Sequence, residues 1–236
     1  MTNITISEED LMDMFQHPSY SINILNRLEL ADWDVGNYFM ISDVLIFNSD
    51  GEIDPSKYNP VGCLKLKHLH LGQSKLHNIS ITEFLSAHLP LGFDGVFTEE
   101  ILALHPDFLE NLETIPQNPD VIIIYKFEIL PLYRNLGVSE CVVKLLLHHF
   151  KNSCGLLMMD CTPLQYTPEQ INNERLYPEE VEPMQYEKFT PDFELAQLKL
   201  MKHFTGMGFK VYPKNPTVLY IETEKIEVSP KDFHIV

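Results

Sequence analysis

Between Pro119 and Pro131 the chain reads Asp-Val-Ile-Ile-Ile-Tyr-Lys-Phe-Glu-Ile-Leu, a long β-branched apolar run. A run that is apolar on both faces and bounded by proline predicts a central strand covered on both sides, over Asp120–Leu130. Pro131 to Gly137 predicts a turn. From Val138 to Lys151 the apolar positions Val142, Val143, Leu145, Leu146, Leu147 and Phe150 go most of the way round a helix. Leu156–Asp160 then reads as a short buried strand. The segment from Val121 to Asp160 is therefore a strand–helix–strand unit, whose crossover is right-handed by the general rule.

The flanking patterns are plainer. Ser7 with acids after it, ahead of Leu11, Met12, Met14 and Phe15, predicts a first helix that His17-Pro18 stops. Ile22, Leu25 and Leu28 at helical spacing predict a second short helix over Ser21–Leu30. Tyr38 to Phe47 is rich in strand formers and ends at the turn Asn48-Ser49-Asp50-Gly51. Val61 to Leu71 alternates and pairs with it antiparallel. Ser80–Leu89 and Thr98–Leu112 read as helical, with Thr98 as N-cap. Phe193–Phe204 has a helical period through Leu195, Leu198 and Met201, ending at Gly206 and Gly208. Phe209–Tyr212 and Val218–Thr223 form a last hairpin. No repeats are present.

One stretch departs from all of this. Thr162–Asp192 holds five prolines and seven acids against two bases, with Tyr166, Tyr177, Tyr186 and Phe189 interleaved. It predicts an arm, too long for an ordinary connection. Such an arm is a solvated excursion, a lid over a substrate, or a contact for a homodimer.

The 236 residues suffice for one large domain with a proper core. The formal charge of -17 argues against nucleic acid and anionic membrane as partners and suits a cationic acceptor. The apolar runs are too short to span a bilayer, and the acidic start is unlike a signal peptide, so a cytoplasmic location is expected. Cys63, Cys141, Cys154 and Cys161 form no CxxC pair and sit among apolar neighbours; they read as reduced, buried residues.

The chemistry concentrates where the central strand meets its helix: Leu130-Pro-Leu-Tyr-Arg134-Asn135-Leu136-Gly137-Val138-Ser139. Amides at a helix start lack partners and hold phosphates well. Gly137 allows close approach, Ser139 is small, and Arg134 can add a charge-assisted contact. The plain alternative is a strand-to-helix turn whose glycine serves only the backbone.

This segment resembles the acyl-CoA-binding motif of the GNAT N-acetyltransferase superfamily, Arg/Gln-x-x-Gly-x-Gly/Ala, with Arg134, Gly137 and Ser139 in its three defining places. Phe204-Thr-Gly-Met-Gly208-Phe209 is similar to the family's Tyr-x-x-hydrophobic-Gly-Phe. The order of elements matches as well. The resemblance implies a single α/β (α+β) domain over 1–236 with a GNAT-like mixed, mostly antiparallel central sheet flanked by helices, the arm being an insertion at about 162–192. It implies acetyl-CoA, or another acyl-CoA, in a V-shaped opening between the motif strand and Leu156–Asp160. The pyrophosphate would rest on amides from Arg134 through Asn135, Leu136, Gly137 and Val138 to Ser139, and the pantetheine beside Glu128, Ile129 and Leu130. A small-molecule or peptide amine would attack the thioester directly.

Two departures bear on activity. Ser139 replaces a Gly or Ala. Phe204 stands where the family often has a tyrosine that protonates the departing thiolate, and phenylalanine donates no proton. His203 is adjacent, but a helix turns about 100° per residue, so it should point elsewhere. Candidate bases are Glu128, in its apolar run, and Asp160, ending the neighbouring strand; Glu128 pairing with Lys126 is the plain alternative. His68 and His70 share one strand face, where the resemblance puts the acceptor side. With no HExxH and no Cys/His cluster, no metal site is expected. The expectation is an acetyl-CoA-dependent N-acyltransferase. The alternatives are a catalytically inactive GNAT-like domain that binds CoA or a protein partner, or one that binds no CoA.

Overall fold

The computed structural model describes residues 20–27, 39–48, 60–72, 93, 95–98, 103–166, 184–185 and 188–225. Seven strands make one sheet: β1 (Tyr20–Arg27), β2 (Phe39–Asn48), β3 (Gly62–Leu69), β4 (Val121–Ile129), β5 (Leu156–Asp160), β6 (Lys210–Val211) and β7 (Val218–Glu222). Their spatial order is β1-β2-β3-β4-β5-β7-β6. Every neighbouring pair is antiparallel except β4 and β5. Among the described residues the helices are α1 (Pro106–Leu109), α2 (Val138–Phe150) and α3 (Phe193–Thr205). The sheet is mixed and mostly antiparallel, as expected, and β4 and α2 flank the Leu130–Ser139 segment.

The central run owes its composition to its place. Val121, Ile122, Ile123 and Ile124 are all buried because both faces of β4 are covered. Ile122 and Ile124 join Leu64, Leu66, Val142, Leu146 and Phe204 in a core beneath α2 and α3. Val121 and Ile123 join Leu69, Phe97, Phe108 and Tyr212 in a second core on the other face. There Phe108 meets Tyr212 and Tyr220 edge-on, at 5.0 and 5.1 Å between centroids.

Two expected helices are corrected. Ser21–Leu30 lies largely in β1, which pairs with β2 from Tyr20↔Asn48 to Arg27↔Ile41. The period-two pattern of Tyr20, Ile22 and Ile24 competes there with the helical spacing, and β2's open edge decides between them. Thr98–Leu112 is no single helix either. Thr98 donates its amide to Ala103 O, Phe97 bridges Leu104, and helix begins only at Pro106. Proline is tolerated at a helix start and not within one, and His105 Nδ1 caps this turn by accepting from Asp107 N at 3.1 Å. The N-cap is therefore His105, not Thr98. The expected helices at Ser7 and Ser80–Leu89 lie outside the described residues.

α3 starts and ends as expected, at Asp192 accepting from Leu195 N and at Gly206. Its buried positions differ, however. Ala196 and Phe204 face the core, whereas Leu195 and Leu198 are exposed. None of the four cysteines is in a disulfide; burial pushes the thiols of Cys154 and Cys161 up to about 12.

Candidate functional site

β4 and β5 run parallel and paired only from Val121↔Leu156 to Ile124↔Met159. The next residue, Tyr125, is extra: β3 pairs Leu66 with Ile124 and Lys65 with Lys126, so Tyr125 has no opposite number. A bulge bends its strand and increases the local twist. Beyond it β4 and β5 part, and the sheet opens into a cavity of about 990 Å³. One wall is β4 from Ile124 to Ile129, the other is Met159–Gln165, and the start of α2 and the end of α3 close the sides.

The start of α2 is the site's electropositive end. Gly137 is its N-cap in the left-handed region, at φ 78°, where a Cβ would be strained although nothing lies within 4 Å to collide with it. Asn135, at φ 62°, shares that region. Cys141 is the first amide to find a helical acceptor, Gly137 O at 3.1 Å, so the amides of Val138, Ser139 and Glu140 remain without a partner in the helix. Gly137, Val138 and Ser139 line the cavity, as do Arg134, Asn135 and Ile129. Leu136 and Leu130 are not in its lining. Leu136 is half exposed, and Leu130 is buried with its amide donating to Val61 O at 2.9 Å.

Arg134 is held to the protein. Its Nε donates to Ile129 O at 2.9 Å, an Nη donates to Met184 O at 2.6 Å, and the guanidinium lies 4.5 Å from the Phe189 ring centroid. It ties the described part of the arm to the mouth of the cavity, where Met184, Lys188, Phe189 and Thr190 form part of the lining.

Glu128 and Asp160 both reach this cavity. Past the bulge, Lys126 and Glu128 fall on the sheet face away from α2 and are buried together, Nζ to Oε2 at 3.1 Å, with Cys63 Sγ 3.4 Å from the same oxygen. Asp160 has no such cation among the described residues. Burial pushes its carboxyl above the ordinary carboxylate range, against hydrogen bonds from Thr162 and Thr217 that pull it down. Thr162 donates to its Oδ1 from both N and Oγ1, each at 3.0 Å.

The expectation for His203 is corrected. It lines the cavity, and its Nε2 lies 2.8 Å from Ser139 Oγ, linking α3 to the start of α2. Helical angle alone misses this because the end of α3 meets the start of α2, and residues 203 and 204 both line the opening. Phe204 itself is buried against Phe127 and Phe209, with centroids 6.0 and 5.9 Å away. His68 is corrected as well. It sits opposite Ile122 at the other end of β4, away from the cavity, and His70 lies beyond it.

No family model matches the chain, and no curated protein matches its sequence. Among solved structures it is similar to the crystal structure of AtaTR bound with acetyl-CoA, at 10% identity and a TM-score of 0.39, over 87% of this chain and 95% of that one. It is also similar to a tyrosine-to-phenylalanine mutant of the AtaT toxin bound to the C-terminus of the antitoxin AtaR and acetyl-CoA, at 9% identity and a TM-score of 0.37, over 86% and 94%. Both likenesses are weak, and the geometry of the site stands on this chain's own residues.

Proposed function

We propose that this chain is an acyl-CoA-dependent N-acyltransferase that works in the opening between β4 and β5. The observation that carries the reading is the end of β4–β5 pairing at Ile124 and Met159, which opens a cavity beside the unpaired amides at the start of α2. A diphosphate gains from those amides and from the helix dipole together. Gly137, Val138 and Ser139 would hold it, with Asn135 and Arg134 at the rim. The acyl arm would run along Ile129. The Leu130 amide is already committed to Val61 and is left out of this role.

In the reaction the amine lone pair attacks the thioester carbonyl carbon, the C–S bond breaks, and the sulfur leaves as a thiolate. The ammonium proton must go to a base and the thiolate must take a proton. Phe204 can do neither. Asp160, whose carboxyl burial pushes above the ordinary carboxylate range, is suited to exchange protons at this site. Glu128 is suited to binding a cationic acceptor or taking its proton, at the cost of its contact with Lys126. The acidic chain favours an amine acceptor.

Phe204 favours a second reading, a domain that binds CoA without catalysing. One thermal-shift titration with acetyl-CoA tests the shared part. Gly137→Asp and Gly137→Asn both accept the left-handed backbone and differ in charge. Ligand at 100 times its dissociation constant should add about 2.7 kcal/mol to the wild type. Gly137→Asn should keep most of that shift and Gly137→Asp should lose it. A folded wild type that shows no shift up to millimolar acetyl-CoA refutes both readings. A shift without acyl transfer to any amine in a broad screen leaves the second.

A further inference from the structure

We propose that His68, His70 and Asp120, at the end of the sheet opposite the acyl-CoA cavity, form a binding site for a divalent transition-metal ion of the Zn²⁺ class. The site follows from strand register. Leu64, Leu66 and His68 lie along the α2 face of β3, and Ile124 and Ile122 along the same face of β4. The antiparallel pairing places His68 beside Ile122 and ends at Leu69 and Val121; just beyond, His70 meets Asp120. Three donors therefore continue two apolar rows past the end of the core.

Their donor atoms all lie within 4.8 Å of one another. Asp120 Oδ2 is the common point, 3.0 Å from His70 Nδ1 and 3.9 Å from His68 Nε2. The other carboxylate oxygen is fixed by the Gly72 amide at 3.1 Å, which aims Oδ2 at the two rings. Such an outer hydrogen bond is what orients a carboxylate ligand. A four-coordinate zinc with bonds of about 2.0–2.1 Å needs its ligand atoms roughly 3.3 Å apart. The distances from Asp120 Oδ2 to the two rings, 3.0 and 3.9 Å, fall to either side of that value.

His68 supplies an independent observation. Its side chain is nine-tenths buried, and neither ring nitrogen makes a hydrogen bond among the described residues. Buried polar groups in native proteins are rarely left so. A neutral imidazole is the form that binds a metal. Phe150, in the last turn of α2, sits edge-on to the His68 ring, 6.3 Å away, and holds it in place. Two imidazoles and one carboxylate suit zinc, and three protein ligands leave a position for water or a substrate atom.

The test uses the full chain, stripped by chelator and titrated with Zn²⁺ alone by calorimetry and with Co²⁺ by visible absorption. The expected result is one ion per chain and the intense bands of four-coordinate Co²⁺. Asp120→Asn and His70→Gln, checked for folding by circular dichroism, should each weaken binding by about 100-fold or more. His149→Ala, an exposed helix residue, should change nothing. Absence of saturable binding to the folded wild type overturns the proposal, as does undiminished affinity in either ligand variant. The acyltransferase reading is untouched by the outcome.

Discussion

Asp160→Asn should make the protein more stable relative to the wild type as pH rises. The carboxyl ends β5 at the wall of the cavity, and burial raises its pKa despite the hydrogen bonds from Thr162 and Thr217. A raised folded-state pKa means the folded chain holds this proton more tightly than the unfolded chain. Stability from this group is then full below the ordinary carboxylate value and is lost as pH rises through the folded value. At about pH 3.5 the neutral acid and the neutral amide are near-isosteres, and Asn Oδ1 can still accept from Thr162, so the two proteins should differ little. At pH 7 the wild type carries the cost of a buried charge and the variant does not. Each unit of upward shift is about 1.4 kcal/mol. For a chain of this size that moves the midpoint by about 3–6 °C. Urea denaturation of both proteins at pH values from 3.5 to 8 measures the difference, and common acid effects cancel between them. A difference that stays flat, or that favours the variant most at low pH, would refute the reasoning and remove Asp160 as a proton carrier at neutral pH.

The opposite sign is expected for Glu222. Burial raises its carboxyl, but Lys225 at 2.8 Å, Lys210 at 2.9 Å and the Glu113 amide outweigh it and hold it below the ordinary range. Glu222→Gln should cost about 1–3 kcal/mol at pH 7, a deficit that closes as pH falls below the ordinary carboxylate value; a constant deficit across that range would contradict it. Leu146 is fully buried between α2 and the sheet, and Leu146→Ala should cost about 2–5 kcal/mol in urea denaturation. Lys144→Ala, which breaks the exposed Lys144–Glu140 pair on the same helix, should cost no more than about 0.5 kcal/mol.

The segment that explains most about this protein was also the most legible. A β-branched run between prolines, a helix apolar most of the way round and a short apolar strand can pack stably in few ways. Val121–Ile129, Val138–Phe150 and Leu156–Asp160 accordingly fall within a residue of the sequence pattern. Gly137 at the turn was legible for a related reason, because a left-handed N-cap admits few other residues. Where the pattern was ambiguous, partners decided. The helical spacing of Ile22, Leu25 and Leu28 gave way to the free edge of β2, and Pro106 divided what the apolar spacing joined.

The central strand–helix–strand unit and the loop at the start of α2 are legible in the residues alone, because they depend on local periodicity and on backbone conformation. Which side chains meet depends on the folded chain. The Tyr125 bulge turns Lys126 and Glu128 to one face and lets β5 diverge, and no composition rule marks where a strand takes an extra residue. The end of α3 meets the start of α2 and brings His203 to Ser139, 64 positions earlier in the chain. Just past the end of the β3–β4 pairing, His70 meets Asp120, 50 positions away. Such contacts come from long-range pairing and helix packing, and a one-dimensional pattern holds no distance between residues so far apart.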